Sequence, residues 1–125
     1  MTNKIGSKSS VLKLQSKNVF LELLPEKGGR IARYCLKNKG NTFELLYPVN
    51  HSVPIKEDTL QKASFPLIPF SNRINKGCFH FRGKQIQLPL NFPPETHAIH
   101  GHGWRKKWNI SEVKDHLAIL EYKYL

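Results

Sequence analysis

The chain has 125 residues, 39% hydrophobic and 23% charged, with eight Gly and eight Pro; this is one domain's length and an ordinary folding composition, which excludes disorder and a second core. Its formal charge of +11, from 20 Lys and Arg against 9 Asp and Glu, would favour nucleic acid if the cations were gathered, but they are scattered and form a run of three only at Arg105-Lys106-Lys107. Two cysteines without C-x-x-C spacing exclude a metal ribbon or a redox pair, and no stretch reaches the roughly 18 consecutive apolar residues of a membrane helix.

The first ten residues, MTNKIGSKSS, are polar and rich in Ser and Lys, so a loose end is expected over 1–10 and a single domain over 11–125. They hold neither the apolar run nor the cleavage site of a signal peptide, and a soluble cytoplasmic protein is expected. From Val11 to Leu14, Val19 to Leu24, Ile31 to Leu36 and Thr42 to Tyr47, β-branched and aromatic residues recur between turn-forming segments. That spacing reads as an antiparallel meander. Gly28-Gly29 supplies positive φ for a turn, whereas a phosphate loop would need the wider G-x-G-x-x-G spacing.

Beyond Tyr47 the pattern breaks at Pro48, Asn50 and Pro54, where a surface connection with a short helix over 57–62 is expected. The segment FPLIPF at 65–70 carries two prolines and is expected to run extended without a full hydrogen-bond ladder. Cys78 to Phe81 and Gln85 to Leu88 flank Arg82-Gly83-Lys84 as a hairpin with His80 on its surface. A second hairpin, Trp108 to Val113 and His116 to Tyr124 about Lys114-Asp115, closes the chain. Its last strand leaves an open edge, through which self-association is expected.

The chemistry-bearing residues lie between these hairpins. Arg73 follows Ser71 and Asn72 at the end of the Pro-rich segment, where a planar fork of donors beside an amide suits neighbouring sugar hydroxyls. Spacing alone favours a structural Arg paired with an acid. His97, His100 and His102 precede Trp104. An H-x-H pair at His100 and His102 raises a metal site, but Lys106 and Lys107 stand where a carboxylate ligand would be needed, so no metal is expected. Trp104 offers a ring for sugar stacking or, more simply, for the core.

In order, PFSNRI, NKGCFHFRGK, QLPLN and AIHGHGW resemble the motifs of the aldose 1-epimerase (galactose mutarotase) family, with weaker similarity from Val19 through GGRI and Phe43-Glu44-Leu45-Leu46. HGHGW stands where H-G-G is commoner. The resemblance covers the family's N-terminal part and implies an incomplete antiparallel β-sandwich, no cofactor, and interconversion of the α and β anomers of an aldohexose such as glucose or galactose. It implies that Asn72 and Arg73 bind sugar hydroxyls and that His100 is the catalytic His near the ring oxygen. His97, His102 and Trp104 are supporting candidates around them. The family's general-base Glu has no counterpart in this sequence, so the chain by itself is expected to be a half-site. The expected partner is an aldose, with no nucleic acid and no membrane. The alternative is a non-catalytic carbohydrate-binding or assembly module that completes its sheet with another chain.

Overall fold

The structure, a computed structural model, describes residues 11–49 and 64–124. The expected loose end over 1–10 and short helix over 57–62 lie outside the described residues. The described residues are all-β, with antiparallel strands and three-residue 3-10 turns as their only helical elements.

Four strands form the main sheet in sequence order: β1 (Leu12–Ser16), β2 (Val19–Leu24), β3 (Arg30–Asn38) and β4 (Asn41–Glu44). This is the expected meander, because each connection is local and each turn has the residues it needs. Lys39 and Gly40 take φ of 47° and 82°, the two positive values of a tight hairpin turn. One irregularity matters for the core. Glu22 pairs with Arg33 but Leu23 pairs with Ile31, so β3 carries Ala32 as an extra residue. Ala32 is then buried with Leu24 and Val49 in the core cluster, and its carbonyl accepts the Val49 N–H at 2.8 Å.

The later strands pair two by two. β5 (Arg73–Ile74) pairs with β8 (Ala98–Ile99), β6 (Cys78–Phe81) with β7 (Lys84–Gln87), and β9 (Asn109–Lys114) with β10 (Leu117–Glu121). The β6–β7 turn is two residues, Arg82 and Gly83, both at positive φ, so Lys84 belongs to the strand and not to the turn. His80 is on the surface as expected. The closing hairpin turns at Asp115-His116, one residue later than expected, and its register shifts beside Ser111. Tyr122 and Tyr124 fall beyond β10 because their rings stack on the neighbouring loop: Tyr122 on Trp108, and both on His102.

Two loops fasten the site region to the sheet. The Pro-rich segment runs extended, as expected: Ser64 bridges Ile31, and Ile68 forms a parallel bridge to Gly101. The Gly28-Gly29 turn does more than reverse the chain. Gly28 donates its N–H to the Lys106 carbonyl at 3.0 Å, and Trp108 donates to the Pro25 carbonyl at 2.9 Å. A Cβ on Gly28 would stand 1.9 Å from the Trp104 carbonyl oxygen, so only glycine lets the 103–108 loop lie this close.

Candidate sugar site

The site is built on the shortest sheet among the described residues. Arg73 stands opposite Ile99 and Ile74 opposite Ala98, with Asn72 and His100 just outside the paired residues. Both flanking residues take positive φ, 65° at Asn72 and 55° at His100. That conformation is uncommon for residues other than glycine and is held here by a reciprocal pair of bonds. Asn72 donates its N–H to His100 Nδ1 at 2.9 Å, and His100 donates its N–H to the Asn72 carbonyl at 2.9 Å. At the other end of the same strands, Lys76 donates its N–H to His97 Nδ1 at 3.1 Å. Two histidines thus fix the two ends of β5.

These bonds set the chemistry of His100. A nitrogen that accepts from a backbone N–H carries no proton, so neutral His100 holds its hydrogen on Nε2. Among the described residues nothing accepts from that N–H. Burial, and secondarily the positive Arg73, push the His100 pKa below its ordinary value of 6.5, so the ring is neutral at pH 7. The ring lies against Phe65 and Trp104, with centroids 6.3 and 6.2 Å away. Trp104 is buried at 3% exposure, stacks with Phe65 and Phe92, and donates from Nε1 to the Gly101 carbonyl at 3.2 Å. It is the floor beneath His100.

Arg73 does pair with an acid, the structural partnership its spacing suggested, yet its exposure leaves it available. Glu95 Oε2 accepts from Nε at 2.6 Å, and the Arg73 side chain remains 51% exposed. The two Nη groups have no hydrogen-bond partner among the described residues. Arg73 and its Glu95 hydrogen bond hold the Glu95 carboxyl below the usual carboxylate range, with the Arg73 charge and His97 adding to the effect.

Asn91 supports the whole arrangement. Its side chain acts as an extra strand on the free side of β8: Oδ1 accepts the Ile99 N–H at 2.9 Å, and Nδ2 donates to the Ile99 and Gly101 carbonyls at 2.7 and 2.6 Å. Arg105 in turn donates to the Asn91 carbonyl. Past His100 the backbone bends at Gly101, where φ is 65° and a Cβ would stand 2.4 Å from the Ile68 carbonyl oxygen. The bend separates the two members of the H-x-H pair. His102 stacks on Tyr124 at 4.3 Å, away from the partners of His100. Among the described residues no three His, Cys, Asp or Glu side chains gather to hold a metal.

The structure therefore places Asn72, Arg73, His97 and His100 along and at the ends of β5 and β8, with Trp104 against the His100 ring, and gives His102 different neighbours. Sequence reasoning missed Glu95 and the role of Asn91. The signals available were an acid in the Pro-Pro-Glu turn and the last residue of the L-P-x-N motif.

Comparison with known proteins gives the family and the fold. The aldose 1-epimerase family model matches residues 10–124. The uncharacterized protein YphB of Escherichia coli K12 is 35% identical over 60 residues, covering 48% of this chain and 21% of YphB. A putative aldose 1-epimerase of E. coli K12 superposes with a TM-score of 0.77 at 27% identity, over 93% of this chain and 37% of that one. A galactose mutarotase-like protein of Clostridium acetobutylicum shares the fold, with a TM-score of 0.68 at 21% identity over 91% of this chain and 34% of that one. This chain thus spans about a third of the solved relatives it matches. By the family model and the fold together, the chain belongs to the aldose 1-epimerase family.

Proposed function

We propose that this chain provides the Asn72, Arg73 and His100 half of an aldose site in a protein that interconverts the α and β anomers of an aldohexose. The observation that carries the reading is His100 fixed as a neutral Nε2–H donor beside an Arg with both Nη groups open. Mutarotation removes the proton from the anomeric hydroxyl, breaks the bond between C1 and the ring oxygen, and protonates that oxygen; rotation and reclosure give the other anomer. His100 holds the ring oxygen through an Nε2–H hydrogen bond that strengthens as negative charge develops there, while the proton the oxygen finally takes up comes from water or from a group beyond these three residues. Arg73 Nη groups and the Asn72 amide hold adjacent hydroxyls, orienting the ring. His97 positions β5 from its far end through the Lys76 N–H, and Trp104 supports the His100 ring. A cytoplasmic location belongs to the same reading.

The base is the part these residues do not supply. Glu95 is the acid at the site, and its carboxylate is engaged by Arg73. The family's general-base Glu has no counterpart in this sequence, so on this reading the 125-residue chain alone binds an aldose and turns it over no faster than buffer. Polarimetry of glucose mutarotation tests this. Catalysis above the buffer rate that vanishes in His100→Ala would show that the short chain contains a base and would overturn the half-site reading.

A second reading is favoured by the closing hairpin, where Ile110, Val113, Leu117 and Ile119 are 39–47% exposed. A module that completes its sheet by pairing with another chain would cover such residues. It requires an oligomer, and sedimentation of a cooperatively folded monomer at micromolar concentration would count against it.

A further inference from the structure

Arg73 by itself would be an anion receptor. An exposed guanidinium on a chain of net charge +11 favours a sugar phosphate, sulfate or uronate over a neutral sugar, because the fork matches those oxyanions and the charge attracts them. Glu95 changes that balance. Its carboxylate meets Arg73 only at Nε, 2.6 Å away, so the charge of the pair is cancelled while the Nη hydrogens stay available to hydroxyls. The acid is also held in place before any ligand arrives. Its own N–H closes the 92–95 turn on the Phe92 carbonyl at 2.8 Å, and its side chain is 29% exposed against 51% for Arg73.

We infer that Glu95 is a specificity-determining residue of this site, converting Arg73 from an oxyanion clamp into a donor for sugar hydroxyls and rejecting sugars that carry a negative group near it. The inference rests on the reading of Asn72, Arg73 and His100 as a sugar site. An anionic substituent seated on the Arg73 fork would approach the Glu95 carboxylate as well as the guanidinium. One unit charge felt across about 6 Å, in a medium between protein surface and water, corresponds to roughly tenfold in affinity. The neutral hydroxyl of an aldose feels no such repulsion.

The test compares the binding of galactose and of galactose 6-sulfate, which stays anionic at all working pH, by saturation-transfer NMR titration of the 125-residue chain. Wild type is expected to prefer galactose. Glu95→Gln is nearly isosteric but uncharged, and should shift the ratio of affinities by about tenfold toward the sulfate. Glu95→Asp keeps the charge and should keep the preference for galactose, which a purely structural role for the side chain does not predict. Equal binding of the two sugars by wild type, or a ratio unmoved in Glu95→Gln, would overturn the inference while leaving the sugar site standing. Failure of wild type to bind either sugar would overturn the sugar-site reading and the inference with it.

Discussion

Replacing Asn91 by Ala removes the one side chain that completes β8 on its free side. The Ile99 N–H loses its acceptor, and the Ile99 and Gly101 carbonyls lose a shared donor. Ile99 is 6% exposed, so its amide has little access to replacement water. A buried group left unpaired costs about 1–3 kcal/mol, and a carbonyl that keeps a second partner or reaches water costs less. The expected destabilisation is therefore about 2–4 kcal/mol, a large share of the roughly 5–15 kcal/mol that holds a domain folded. Asn91→Asp retains the acceptor but loses the donor and sets a negative charge against two carbonyl oxygens, so it should cost at least as much. Urea denaturation followed by circular dichroism measures the loss, and amide hydrogen exchange at Ile99 locates it. A change in Asn91→Ala below about 0.5 kcal/mol, the range of ordinary surface substitutions, would refute the reasoning.

Other consequences follow from the same contacts. Gly28→Ala puts a Cβ 1.9 Å from the Trp104 carbonyl oxygen at φ of +80°, and should destabilise the chain by more than about 3 kcal/mol in the same urea assay. Gly40→Ala meets nothing within 4 Å at φ of +82°, so it should cost only the conformational penalty of about 1–2 kcal/mol. His100 has a folded-state pKa below its ordinary 6.5, so the unfolded chain binds the proton more readily than the folded one. Its contribution to stability is complete above that ordinary value and is lost as the pH falls below it toward the depressed folded value; the urea midpoint should fall over that window, and His100→Gln should flatten the fall.

The strands were legible because their chemistry is local. Lys39-Gly40 and Arg82-Gly83 dictate their hairpins through two adjacent residues, and alternation in β1 to β3 dictates which side chains face inward. Strand ends were less legible, since Tyr122 leaves the ladder to pack on Trp108 and His102, ring contacts that alternation does not reveal. Arg73 and His100 could be singled out because a motif carries them. Glu95 and Asn91 could not be given roles, because each acts across a loop, on partners 22 and 8 residues away, with no periodicity to mark the contact. The H-x-H pair shows the reverse. His100 and His102 share a face only in an extended chain, and the bend at Gly101 removes that condition.

The central claim is that His100 is a neutral Nε2–H donor poised for a sugar oxygen beside Arg73. Long-range proton–nitrogen NMR of the histidine rings, recorded at pH 7 with and without galactose, tests it most directly. The expected spectrum shows His100 protonated on Nε2 alone, with the Nε2 resonance moving as galactose is added and with no such movement in Arg73→Ala. A His100 protonated on Nδ1, or an Nε2 resonance that saturating galactose leaves unmoved, would contradict the claim.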